Sequence, residues 1–134
     1  MSKRYAERTR VTVAKSRADI ETELSKHDCD KIAVMSSATE VVFAFIKDAI
    51  QYKTGIDFPA DDRQEQKRRL RTLFAYIKAR LNAVEDGLVT FEQEFVGEVV
   101  TANGHTIREQ ALEQVQSSAN LPTVLMLENL TEGR

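Results

Sequence analysis

Between Ile50 and Phe58 the chain alternates with a period of two. Ile50, Tyr52, Thr54, Ile56 and Phe58 take every second position, with Gln51, Lys53, Gly55 and Asp57 between them. That period predicts a half-buried β-strand. A strand-like run from Val41 to Ile46 precedes it, and Ile32 and Val34 open a third. Together they read as a three-stranded antiparallel meander, turning at Ser36-Ser37-Ala38-Thr39 and at Lys47-Asp48. Val41, Phe43 and Phe45 are expected to face the core. The intervening Val42, Ala44 and Ile46 are apolar as well, and a strand buried on both faces needs cover on both. If the chain's own Val124-to-Leu127 stretch does not cover them, they imply a homodimer or a partner.

On both sides of the meander the period becomes helical. Downstream, Leu70, Leu73, Phe74, Ile77, Leu81 and Val84 follow the i, i+3, i+4, i+7 template. Asp61 or Asp62 stands ready to cap this long helix, and Gly87 suits the position after its end at about Asp86. Its apolar face is expected to pack on Ile50, Tyr52, Ile56 and Phe58. Thr90 with Gln93 forms a capping box for a short helix carrying Phe91 and Phe95. Asn103-Gly104 is a turn signal. Thr106 with Glu109 opens a last helix through Ile107, Ala111 and Val115 that ends before Pro122, and Thr123 to Leu127 is apolar again. Upstream, residues 1–10 read as a polar, basic, flexible arm and Val11 to Val13 as a short extended stretch. A helix capped by Thr12 or Ser16 follows, with Ile20 and Leu24 as its thin buried stripe and a stop near Asp28. The fold expected is therefore α+β: an N-terminal helix, a three-stranded antiparallel meander, a long helix and two shorter C-terminal ones. The 1–10 arm precedes a single domain over 11–134.

Composition narrows this without changing it. With 134 residues, 42% hydrophobic and 30% charged, the chain has the make-up of one ordinary globular domain. No apolar run is long enough to span a bilayer, and the basic N-terminus lacks the apolar core of a secretory signal. A single cysteine, Cys29, rules out an internal disulfide framework and makes a reducing, cytoplasmic compartment the default. The net charge of −2 conceals segregation. Lys3, Arg4, Arg8, Arg10, Lys15 and Arg17 stand against Glu7 alone, and residues 18–30 then turn acidic. Residues 61–84 are basic and the C-terminal third is strongly acidic. Blocks of alternating sign favour a polarised surface or docking within the chain.

Catalytic and metal chemistry find little footing. His27-Asp28-Cys29-Asp30 is the one cluster of ligand types, but zinc needs four converging ligands and His105 stands apart in a turn. Cys29 and His27, two residues apart, point about 200° from one another on a helix and make no local nucleophile–base pair. Ser36-Ser37 lacks the glycines of a strained nucleophile turn. Glu92, Glu94 and Glu98 read as solvated charge on an exposed helix face. No glycine-rich loop precedes a helix. The expectation is a protein that is not an enzyme and takes no metal or cofactor.

The basic side chains lead further. On the long helix Lys67, Arg71 and Lys78 project along one flank of the apolar stripe, Arg69 and Arg80 along the other, and Arg68 points outward. With Arg4, Arg8 and Arg10 of the arm, the set Lys67, Arg68, Arg71 and Lys78 reads as a phosphate-contacting surface. Aromatic rings for stacking on bases are few: Tyr5 and Tyr76.

Five stretches together resemble a group of small phage and prophage proteins of uncharacterised function. They are Tyr5-Ala-Glu-Arg-Thr9, the run from Val11 to Glu21, the Leu73-to-Glu85 helix, Thr90-Phe-Glu-Gln-Glu-Phe95, and Asn103-Gly-His-Thr106. These are caps, turns and core positions, so the resemblance implies a shared fold and a viral origin, with no activity to carry over. Val42, Ala44 and Ile46 depart from it, since relatives carry more arginine in the strands. Two functions follow as expectations. One is a phage accessory protein in the host cytoplasm that touches nucleic-acid backbone through its basic arm and long helix. The other is a protein-binding module, such as an inhibitor of a host defence complex, acting through the acidic C-terminal third or the apolar strand face.

Overall fold

The computed structural model describes the backbone of residues 2–118 and the side chains of residues 13–118. The elements run α1 (Ser2–Lys26), β1 (Asp30–Ser36), β2 (Glu40–Lys47), β3 (Ile50–Asp57), α2 (Arg63–Glu85), α3 (Phe91–Phe95), a 3₁₀ turn (Val96–Glu98) and α4 (Ile107–Ser117). The sheet is an antiparallel meander in the order β1-β2-β3, as the alternating pattern predicts. The architecture is α+β.

α1 departs from expectation. It starts at Ser2, so the backbone read as a 1–10 arm and as an extended Val11–Val13 stretch forms the first half of one helix. Neither Thr12 nor Ser16 caps it. The segment lacks glycine and proline and is rich in Lys, Arg, Glu and Ala, all strong helix formers. The buried stripe also reaches further back than Ile20 and Leu24. Ser16 is buried and Val13 packs against the core, at the spacing one helix face requires.

The turns obey local chemistry. Ser37 Oγ accepts from the backbone N–H groups of Thr39 and Glu40, both at 3.2 Å, and so closes the first hairpin. The second falls one residue later than expected, because Lys47 still pairs with Ile50 and the loop is Asp48-Ala49. α2 starts at Asp62, whose carboxylate accepts from the Glu65 N–H at 3.0 Å. It ends in a Schellman motif: Gly87 takes φ +78°, its N–H donates to the Val84 carbonyl, and the Leu88 N–H donates to that of Ala83. The Thr90–Gln93 capping box is complete in both directions, and Thr106 caps α4.

Val41, Phe43, Phe45 and Tyr52 are buried on one face of the sheet. The Phe45 and Tyr52 rings stack at 5.4 Å, and Phe91 and Phe95 of α3, themselves stacked at 4.6 Å, meet them edge-on. Leu73, Ile77 and Leu81 are buried as expected, whereas Phe74, Ile50 and Ile56 are only partly so. The face of α2 does not rest on β3 alone, because it also packs along α1. Asp19 meets Arg71, while Glu23 and His27 share a depression with Lys78 and Asn82. Positions rise together on both helices, so α1 and α2 run parallel. A helix preceding β1 and one following β3 must do so when each turns back over the same sheet.

Beyond the 3₁₀ turn the chain joins the free edge of β3. Val99 bridges Tyr52, the Val100 N–H donates to the Gln51 carbonyl at 2.8 Å, and Val100 bridges Thr106 across the Asn103-Gly104 turn. On the opposite sheet face Val42, Ala44 and Ile46 are half-buried. The 124–127 stretch considered as their cover lies outside the described residues.

Candidate nucleic-acid interface

The cationic flank of α2 is set by helical geometry. With Leu70, Leu73, Ile77 and Leu81 turned inward, Gln64, Lys67, Arg68, Arg71 and Ala75 fall at spacings of three and four on the solvent side of α2, and Arg71 reaches α1 through Asp19. Lys67, Arg68 and Arg71 line one open groove of about 640 Å³. Lys78 lines the next depression along α2, about 540 Å³, where Lys26 and Lys47 are matched by Glu23, Asp28 and Glu85. The structure thus brings together the three α2 cations Lys67, Arg68 and Arg71 and puts Lys78 beside them. Arg4, Arg8 and Arg10 belong to the first turns of α1, and their side chains lie outside the described set.

These cations differ in what already holds them. Arg68 forks onto Glu65, with Nε 3.0 Å from Oε2, and Arg69 Nε reaches the same carboxylate at 2.9 Å. Hydrogen bonds from Arg68 and Arg69 hold the Glu65 carboxyl well below its usual range, at about 2. Arg71 Nη1 lies 3.4 Å from Asp19 Oδ2, a long contact between two exposed groups. Among the described residues Lys67 and Lys78 form no ion pair. Arg71 and Lys78 both lie over the Phe74 ring, at 5.6 and 5.8 Å. That ring is therefore engaged by cations, whereas Tyr76, which the buried Arg80 approaches at 4.9 Å, remains 51% exposed.

Arg80 is not a surface cation. It is 5% exposed, held between the rings of Phe95 and Tyr76, and donates from Nη1 and Nη2 to the two oxygens of Glu98 at 3.0 and 2.9 Å. Its Nε reaches Glu94 Oε1 at 3.0 Å. Burial pulls the guanidinium pKa down, but its hydrogen bonds to Glu98 and Glu94 and the negative charge of Glu98 more than offset it, leaving the value raised. Glu98, also 5% exposed, accepts from Arg108 Nε and Nη2 as well. The reading of Glu94 and Glu98 as a solvated face is therefore corrected, because the chain turns at Val96–Glu98 and swings Glu98 inward against α2. A basic residue at Arg80, directly before the core position Leu81 and three after Ile77, was the one available signal.

Cys29 is buried, and desolvation pushes its thiol up to about 11 despite the nearby Lys47. Lys47 donates to the His27 carbonyl at 2.8 Å and so satisfies the end of α1. His105 Nδ1 lies 3.0 Å from Glu109, whose carboxyl is lowered chiefly by that contact. Among the described residues no helix is long and apolar enough to cross a membrane. Comparison of the chain with protein-family models, with curated proteins and with solved structures finds no match.

Proposed function

We propose that this chain is a non-enzymatic phage or prophage accessory protein that binds the sugar–phosphate backbone of nucleic acid through the cationic flank of α2. The basic start of α1, with Arg4, Arg8 and Arg10, adds to that surface. The observation that carries the reading is the convergence of Lys67, Arg68 and Arg71 on one open groove, with Lys78 next along the flank. Exposed ion pairs are worth little, so exchanging the carboxylate partners of Arg68 and Arg71 for phosphate costs little. Phe74 lies beneath Arg71 and Lys78, and a single exposed ring beside the flank, Tyr76, is no stacking platform, which favours duplex over single strands. Contacts to phosphate alone make binding independent of sequence. Affinity should fall with salt at a slope of about −0.9 per phosphate contact. Titrating labelled duplexes at low salt tests this. The triple variant Lys67→Glu, Arg71→Glu, Lys78→Glu should abolish binding while its circular dichroism stays unchanged. Absence of binding by the unaltered protein at micromolar concentration would reject the reading.

A second reading, a module that binds a host protein complex such as a defence assembly, draws on α4. No residue of that helix is buried, and its apolar Leu112 and Val115 are 54% and 65% exposed. It predicts a complex that persists at high salt and is lost in Leu112→Glu.

A further inference from the structure

The carboxylates on the α2 flank do more than balance charge. Each arginine of the groove already grips an anionic oxygen from its own chain. Arg68 presents its fork to Glu65, the two-pronged geometry in which guanidinium binds phosphate. Arg71 reaches across from α2 to Asp19 on α1. At 3.4 Å that contact is longer than the roughly 2.7–2.9 Å of a strong charge-assisted bond, and both partners are open to solvent. An incoming phosphate can displace it without unpacking anything.

Resting on the nucleic-acid reading above, we infer that Asp19 and Glu65 are internal competitors for phosphate, holding Arg71 and Arg68 in the poses they use on a duplex and setting its affinity. Asp19 is the more exchangeable of the two. Glu65 also binds Arg69 and lies in the first turn of α2, where a negative charge favours the helix. Binding then proceeds by exchange: phosphate oxygens replace carboxylate oxygens at the same guanidinium nitrogens, and Asp19 is released to water.

The test is a set of full-length variants titrated with one labelled DNA duplex over a salt series. Asp19→Asn frees Arg71 without altering side-chain shape, and should bind about two- to fivefold tighter, the worth of an exposed ion pair. Its salt slope should stay close to that of the unaltered protein, because Arg71 reaches the same phosphate in both complexes. Glu113→Gln on α4 removes the same charge from a residue outside the flank and should match the unaltered protein. In Asp19→Asn/Arg71→Gln the gain should vanish. Glu65→Gln provides a second release should Asp19→Asn melt early. If the unaltered protein binds and Asp19→Asn gains nothing, or gains no more than Glu113→Gln, the competitor role is overturned while the nucleic-acid reading stands. A gain that survives Arg71→Gln overturns it too. Should neither the unaltered protein nor Asp19→Asn bind, both fall.

Discussion

Ala49 sits at φ +67°, next to Asp48 at +50°, in the two-residue loop between β2 and β3. Two consecutive left-handed residues are what a type I′ hairpin needs, because that turn matches the twist of the strands it joins. Aspartate tolerates the conformation, whereas alanine crowds its Cβ against the carbonyl that follows, at about 1–2 kcal/mol. Glycine removes the clash but has more freedom to lose on folding. Ala49→Gly should therefore stabilise the protein by about 0.5–1 kcal/mol net. Thermal unfolding should show a midpoint higher by a few degrees, and a lower one would contradict the strain argument. Ser16 is a different residue-scale compromise. Its hydroxyl is fully buried, without a hydrogen-bond partner among the described residues, at a stripe position where an apolar side chain would serve better.

At the scale of elements, Glu98 ties α2, the 3₁₀ turn and α4 together by accepting from both Arg80 and Arg108. Removing it leaves Arg80, buried between two rings, with Glu94 alone as its carboxylate partner. Glu98→Ala should cost about 3–5 kcal/mol. Glu94 lies nearer solvent and shares Arg80 with Glu98, so Glu94→Ala should cost clearly less. Urea unfolding followed by circular dichroism measures both, and a loss below about 1 kcal/mol for Glu98→Ala would remove the hub role assigned to it. The same network positions α4. Arg108, in its first turn, is fastened to Glu98, and Thr106 is buried at its cap, while the rest of the helix projects Leu112 and Val115 outward. An eleven-residue helix without a buried face is marginal alone, which makes its anchored first turn all the more necessary.

At the scale of the whole molecule, two parallel helices share one face of a meander and the short α3 closes the end of the core. Ile77 lies where these layers meet and is 0% exposed. Ile77→Ala should cost about 2–5 kcal/mol through lost burial and the cavity left behind. A loss within 0.5 kcal/mol in denaturant unfolding would refute the packing of α2 described here. The parallel arrangement also shapes the candidate interface, because it lays the acidic residues Asp19 and Glu23 of α1 beside the cations of α2.

Local chemistry made much of this legible in the amino-acid order alone. The alternation from Ile50 to Phe58, the stripe from Leu70 to Val84, the Asp62, Thr90 and Thr106 caps and Gly87 each depend on residues within a few positions of one another. The strands, the long helix and their ends were readable for that reason. The α2 flank was readable too, since helical period alone places Lys67, Arg71 and Lys78 on one side. What the amino-acid order left open involves distant partners. The early start of α1 is one such case, because a thin stripe and a run of good helix formers do not say where packing begins. The burial of Glu98 is another, set by a chain reversal after Phe95 and a guanidinium eighteen residues upstream at Arg80. The pairing of Arg71 with Asp19 bridges fifty-two residues and exists only because both helices return over the same sheet face. Charge and period are properties of the chain, but which carboxylate meets which cation is decided by tertiary packing.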